Sequence, residues 1–234
     1  MCIRDRENST TSIQDSHYLS KAYIGSENGK HRLAKVKTDA QMHAAGGSVS
    51  TARDMALWIQ ANLNQGNHSQ HINAISPRAF QLSQAPLVQL DWQFLDFHRY
   101  AHGLGLYRAD YRGEVLLHHF GGETHMSFMP QRELGIAILT NDTRFGVAIT
   151  HRLASSLYDA LMEKADTEER LQANIIAINE SAEKRLLKEQ ERQQQWSQKQ
   201  NIPNTIDAID IVGTYINDRL GKITISSHNN ALYS

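Results

Sequence analysis

The sequence predicts an α+β domain, an antiparallel sheet with helices packed on it. Three observations carry that expectation. Strand-length apolar segments follow one another between residues 103 and 139, separated by turns such as Tyr111-Arg112-Gly113 that are too short for a crossover helix. Met55, Trp58, Ile59 and Leu63 recur at helical spacing before the strands, and Phe145, Ile149, Leu153, Leu157 and Leu161 do so after them. A glycine-rich turn, Ala44-Ala45-Gly46-Gly47, stands ahead of the first helix.

In order along the chain, residues 1–43 are polar. Tyr18, Leu19, Tyr23, Ile24, Leu33 and Val36 lie too thinly among them to form a core. Met1-Cys2-Ile3-Arg4-Asp5-Arg6 is charged from the fourth residue and offers no apolar signal-peptide core. Either the protein is cytoplasmic or residue 1 is not the native start. The second is the expectation, with residues 1–6 read as a non-native remnant. Ser50 or Thr51 can cap the first helix, Thr51 and Asp54 being spaced as a capping box, and Asn64-Gln65-Gly66 stops it. A loop-rich interval with Pro77 and Pro86 is expected next. Strands are expected at Gly103–Tyr107, Val115–His118, Met126–Met129 and Gly135–Leu139, and then the second helix.

After Met162 the composition turns to Glu, Lys, Arg and Gln. Leu171, Ile175, Ile178 and Ala182 give a narrow apolar stripe that does not persist through enough heptads for a coiled coil, so a solvated helical linker is expected. Pro203 ends it. Ile209–Tyr215 and Gly221–Ile225 read as strands of a small β unit, and the chain stops at Ser234 where another strand would begin. The expected organisation is a partial domain over 1–165, a linker over 166–205 and a cut β domain over 206–234.

Composition excludes several function classes. The 234 residues carry 24 basic and 25 acidic side chains, no excess that would draw nucleic acid or an anionic membrane. Mean hydropathy is −0.51, and no apolar run approaches the roughly 18 residues of a membrane span. Cys2 is the only cysteine, so no intrachain disulfide can form and the redox compartment is not legible. Nothing in the sequence fixes an oligomeric state.

The segments that carry chemistry resemble, in order, one known family. Gly46-Gly47-Ser48-Val49-Ser50-Thr51-Ala52-Arg53-Asp54-Met55 is similar to the Gly-Gly-x-x-Ser-Thr-x-x-Asp helix start of β-lactamase-related serine hydrolases. His102-Gly103-Leu104-Gly105-Leu106-Tyr107 resembles their Tyr-Gly-x-Gly-Trp strand, and His119-Phe120-Gly121-Gly122 the His-x-Gly form of their third active-site motif. Leu134–Asn141 resembles the closing strand that ends in Leu-Thr-Asn, and Ile211-Val212-Gly213-Thr214-Tyr215 the small β domain appended in many members. The resemblance covers residues 40–165 well and 205–234 loosely. It implies a β-lactamase/transpeptidase-like fold, incomplete here.

It also implies acyl transfer. A serine attacks an amide, ester or β-lactam carbonyl, a lysine and a tyrosine manage its proton, and backbone N–H groups hold the oxyanion. By resemblance His119 takes the third-motif position, where it would orient a substrate carboxylate or the tyrosine hydroxyl. Gly121 would admit substrate backbone that a side chain would block. Gly122 would offer its N–H as an oxyanion donor. The other reading of His119 is a half-buried sheet histidine with no chemistry. The implied partner is a small-molecule or peptide substrate of the parent enzyme, which would be bacterial and periplasmic or secreted; no cofactor or metal is implied.

Two matches stand out of order. Ser181-Ala182-Glu183-Lys184 fits Ser-x-x-Lys and Tyr215-Ile216-Asn217 fits Tyr-x-Asn, but both follow the His-x-Gly segment, whereas the family places them before it. The nucleophile and its lysine are therefore expected to be absent from this chain. Glu123-Thr124-His125 leads almost directly into Met126-Ser127-Phe128, about four residues short of the family's usual loop, and a one-residue slip would invert the following strand. His118, His119 and His125 lie close in sequence without a Glu-x-x-His or Cys partner to complete a zinc site. Two functions stay open: a fragment of a serine hydrolase, and a non-catalytic binding module on the same scaffold. The residues found upstream of position 1 discriminate them.

Overall fold

The computed structural model describes residues 20–25, 31–34, 49–67, 75–121, 124–200, 206–218, 221–228 and 231–233. Two compact units divide the chain, Met1–Lys184 and Arg185–Ser234.

The first unit opens with two short antiparallel strands, β1 (Tyr23–Ile24) and β2 (Arg32–Leu33). Residues that seemed too sparse for a core still pair with the end of the closing strand. The Tyr23 N–H donates to the Asn141 carbonyl at 2.7 Å, and the Thr143 N–H donates to the Tyr23 carbonyl at 2.8 Å.

Helix α1 (Ala52–Leu63) begins at Thr51, whose hydroxyl oxygen accepts from the Asp54 N–H at 3.1 Å, the cap read from the sequence. It ends where Gln65 and Gly66 take positive φ, and the Gly66 N–H donates to the Ala61 carbonyl at 2.8 Å. Helix α2 (Pro77–Gln84) lies in the interval expected to be loop. Pro77 opens the helix rather than breaking it. Ser76 accepts the Ala79 N–H at 3.3 Å, and the first turn has no use for the N–H that proline lacks.

Six strands then build one antiparallel sheet in sequence order: β3 (Val88–Phe94), β4 (Phe97–His102), β5 (Tyr107–Tyr111), β6 (Glu114–Phe120), β7 (Thr124–Met129) and β8 (Leu134–Leu139). The last three match the expected strands. β3 and β4 were not anticipated, and Gly103–Leu106, expected as a strand, is the turn between β4 and β5. Gly105 has φ +83°, which a strand does not use. Gly103 lies so close to the Ser83 and Ala85 carbonyls that a Cβ would overlap them.

Both sheet faces are covered, which explains why β7 is buried along almost its whole length instead of alternating. On one face α1 packs on β7 and β8, with Ile59, Leu106, Leu117, Met126 and Phe128 forming a core. On the other, helix α3 (Gly146–Leu161) covers Phe97, Tyr111, Leu116, Met129 and Ile136 with Ala154 and Tyr158. Helix α4 (Thr167–Gln200) runs from this unit into the next. Its start is not a free linker. Asn174 is buried and donates to the Ser156 hydroxyl at 3.0 Å, and Arg170 Nε donates to Asp159 at 2.7 Å. Asp159 is fully buried and also accepts from Tyr111 at 2.8 Å and Arg112 at 3.1 Å, so its charge is paired and hydrogen-bonded.

In the second unit, helix α5 (Ala208–Ile211) precedes β9 (Gly213–Asn217), β10 (Gly221–His228) and β11 (Ala231–Tyr233), an antiparallel sheet ordered β11-β10-β9. Among the described residues no helix is long and apolar enough to cross a membrane.

Gly135 sets the distance between α1 and the sheet, because a Cβ there would collide with the Ile59 side chain. Gly135→Val is expected to push α1 outward and cost about 1–3 kcal/mol, the usual range for overpacking. Thermal unfolding of the two chains checks this, and an unchanged midpoint would remove Gly135 from that role.

Candidate functional site

Between α1 and the cavity-side face of the sheet lies a cavity of about 280 Å³. Met55, Trp58 and Asn62 of α1 form one wall, Ser83 closes it from α2, and Leu104, Gly105 and Leu106 overhang it from the β4–β5 turn. His119, Gly121, Thr124 and Met126 at the end of the β6–β7 hairpin complete it. Two of the three residues singled out in the sequence, His119 and Gly121, thus share one cavity. Gly122 lies outside the described residues.

The hairpin explains how they come together. Register pairs Phe120 with His125 and His119 with Met126, so the chain turns within four residues. Strand alternation sends His119 to the α1 face with Leu117, and sends His118 to the α3 face. His119 is exposed, and among the described residues no hydrogen bond holds its imidazole. The Gly121 N–H is engaged inside the turn, by the Thr124 carbonyl at 3.3 Å and its hydroxyl at 3.1 Å. A Cβ on Gly121 would come within 2.8 Å of that hydroxyl, a contact the Thr124 side chain can relieve by rotating. That rotation would withdraw the Thr124 hydroxyl from the Gly121 N–H, so a side chain here costs one hydrogen bond of the turn.

The cavity walls are fixed by their own contacts. Gln84 Nε2 donates to the Asn62 carbonyl at 3.1 Å, Asn62 Nδ2 to the Trp58 carbonyl at 2.9 Å, and Arg108 Nη1 to the Gln84 carbonyl at 2.7 Å. Trp58 and Phe80 rings meet at 5.8 Å. The sequence had read Met55 and Trp58 only as the buried stripe of a helix. Ile59 alone on that stripe is fully buried, and the half-buried neighbours are what line the cavity. A stripe wider than one contact with the sheet requires was the available signal.

The opposite face carries a buried polar cluster that sequence spacing did not reveal. His118 and His125 are joined there by His151 of α3, with ring centroids 4.6 Å apart for His125 and His151 and 6.3 Å for His118 and His125. Arg99 is fully buried beside them; its Cζ lies 3.8 Å from the Phe94 ring and 4.0 Å from the Tyr107 ring, with Trp92 and Phe120 beyond. Arg99 Nε donates to His118 Nε2 at 3.2 Å, which fixes His118 as neutral with its proton on Nδ1. His151 Nδ1 donates to the Val147 carbonyl at 2.8 Å. Among the described residues these rings form no group of three or more side chains arranged to hold a metal.

His125 Nε2, Ser127 Oγ and Tyr158 Oη form a chain of 2.7 and 2.9 Å contacts that looks like a nucleophile with its base. All three are buried to within 1 %, so no substrate reaches them, and burial holds the tyrosine hydroxyl firmly protonated. Ser181 and Lys184 lie on the exposed part of α4, and Lys184 leans toward Glu180 at 3.9 Å with 79 % of its side chain in solvent. Nothing there activates a serine. The Tyr215 hydroxyl donates to the Ile211 carbonyl within the second unit.

Burial lowers all three histidines: His118 well below the ordinary imidazole value, His151 to about 4 and His125 to about 3, with the Arg99 charge adding to each. The unfolded chain then binds more protons below the unperturbed value of about 6.5. Stability should be full above that pH and fall as pH drops from about 6.5 toward 4. Each histidine contributes up to about 1.4 kcal/mol per pH unit in that window. Urea midpoints at pH 7.5 and 5 check the sign, and His151→Leu should flatten the slope. Equal midpoints at both values would contradict the buried neutral assignment.

Against known proteins, the β-lactamase family model matches residues 10–157, a span that contains α1, α2, the whole six-stranded sheet and most of α3. No curated protein and no solved structure gives a significant match. With well over half of its length matched, and with an α+β architecture in agreement, the chain belongs to the β-lactamase family.

Proposed function

We propose that the chain is the carboxy-terminal part of a serine hydrolase that works by acyl transfer on a β-lactam, a D-alanyl peptide or a small ester. The serine Oγ would attack the carbonyl carbon, the leaving amine or alcohol would depart with a proton, and water would then release the acyl group. The observation that supports this reading is the position of His119 and Gly121 together on the wall of one cavity, within the segment matched to the family. In this reading His119 orients the substrate or the general base, and the N–H of Gly122 donates to the oxyanion.

The attacking serine and its lysine are proposed to lie on chain outside these 234 residues, since Ser181 sits on a solvated helix far along the sequence. The chain by itself should then be catalytically silent. Incubation with a chromogenic cephalosporin, a p-nitrophenyl ester and a fluorophosphonate probe is expected to give no turnover and no covalent label. Stoichiometric labelling of a serine would overturn this and redirect attention to Ser181.

In a chain extended upstream through a Ser-x-x-Lys segment, Gly122→Pro should lower kcat/KM by roughly 10²–10³, the cost of one oxyanion donor. His119→Ala should cost less, because that residue assists rather than attacks. Parental turnover in both folded variants would sink the third-motif assignment.

A further inference from the structure

The tip of the β6–β7 hairpin, which carries His119 and Gly121, reaches past the strand beside it. β5 pairs with β6 only as far as Tyr107 opposite His118, because the chain before Tyr107 turns away between Gly103 and Leu106. β7 follows β6 further, pairing Met126 with His119 and His125 with Phe120. On its β5 side the tip therefore has no ladder partner among the described residues. A two-stranded ribbon end is marginal in water by itself. The cavity keeps its wall only if something else holds His119 in place.

Side chains on the α3 face supply that hold. Strand alternation turns His118 and Phe120 to this face, Phe120 by the small twist of the strand end, and His119 away from it. Arg99 reaches both from β4, across β5. Its Nε donates to His118 Nε2 at 3.2 Å, and its Cζ lies 5.1 Å from the Phe120 ring centroid. One guanidinium thus meets the residue on each side of His119. The Phe120 ring stacks on Phe94 at 5.3 Å and on Tyr107 at 6.2 Å, with 9° and 16° between the planes, and His151 of α3 meets it edge-on at 5.4 Å. Phe94 and Tyr107 are also the two rings closest to the Arg99 cation. Arg99 is fully buried, and among the described residues its Nη1 and Nη2 make no hydrogen bond, so its contacts are these rings and His118. A cation desolvated over aromatic faces, and rings stacked on one another, hold more strongly than the area they bury accounts for.

We propose that Arg99 and Phe120 are positioning residues: Arg99 ties β6 to β4 through His118 and the Phe120 stack, and so fixes the tip that presents His119 and Gly121 to the cavity. The residue between His119 and Gly121 is then no mere spacer. Its ring anchors on one face the backbone that carries the imidazole on the other. The bearing on turnover rests on the acyl-transfer reading, in which a displacement of about 1 Å can cost roughly 10² in rate. The hold itself is a property of this chain and is measured without turnover, so the two can fail separately.

Backbone amide order parameters of the ¹⁵N-labelled chain report it. His119 and Thr124 at the tip, and Leu116 and Phe128 further along the same two strands, should all lie near the rigid value of about 0.85. Arg99→Met keeps the side chain's reach and removes its charge. It should bring His119 and Thr124 below about 0.6 and leave Leu116 and Phe128 rigid. Phe120→Leu should do the same, and Phe120→Tyr, which keeps the ring, should not. The double variant Arg99→Met with Phe120→Leu should be no looser at the tip than either single one. A rigid tip in Arg99→Met overturns the proposal, and so does an equal loss at Leu116 and Phe128, which would make Arg99 a support of the whole sheet. A double variant looser than both single ones would show that Arg99 does not act through Phe120, and overturns it as well. If Arg99→Met does not fold, the two Phe120 variants decide: a tip that stays rigid with leucine, or loosens equally with tyrosine, contradicts the anchor.

Discussion

The closeness with which α1 can lie on the sheet governs the cavity side of this protein. Ile59 presses toward β8 at the one position, Gly135, where the strand has no side chain to oppose it, and Phe128 and Leu117 fill the space around that contact. Once Ile59 is seated, helical geometry fixes its neighbours. Met55 and Trp58 fall one turn back and beside it, Asn62 one turn on, and all three face the end of the β6–β7 hairpin. The His-x-Gly segment becomes a cavity wall only because α1 supplies the other wall at this distance. A bulkier residue at 135 would leave the hairpin unchanged and open the cavity into a groove.

The two sheet faces solve different problems with the same strands. The α1 face is apolar and ends in an accessible cavity. The α3 face buries polar groups that are costly to bury: Arg99 among aromatic rings, three neutral histidines, and Asp159 paired with Arg112 and Arg170. Strand alternation separates them residue by residue. His118 and His119 are adjacent in sequence, yet one is sealed against α3 with its pKa forced down by burial and the other is open to solvent. That separation keeps the buried charge of Arg99 away from the cavity. It also makes the α3 face sensitive to mild acid, because its three buried histidines are held neutral.

Much of this architecture was legible in the residues. Helical periodicity from Met55 to Leu63 and from Phe145 to Leu161, the Thr51 cap, the Gly66 stop and the last three strands were all readable, because each rests on local sequence chemistry. Pro77 misled, since the same residue that breaks a helix interior is well placed in its first turn, and which applies depends on Ser76 as a cap. Gly103 to Tyr107 misled for a tertiary reason: the segment is apolar enough for a strand, but Gly103 is pressed against the carbonyls at the end of α2 and the chain must turn. The cavity itself was half legible. His119 and Gly121 stood out by spacing, while Trp58, Leu104 and Met126 looked like ordinary core until the helix and the turn closed over them. The cluster of His118, His125, His151 and Arg99 is assembled from the two strands of one hairpin, from β4 beyond the intervening β5, and from a helix, and no local spacing encodes it.

The most direct test of the central claim is the crystal structure of a phosphonate ester adduct formed on the serine-bearing, upstream-extended chain. The acyl chain is expected in the cavity between Trp58, Leu106 and Met126, with the imidazole of His119 within hydrogen-bonding distance of the adduct or of the base beside it. An adduct whose acyl chain lies elsewhere, leaving Trp58 and His119 untouched, would contradict the assignment of this cavity as the acyl-transfer site.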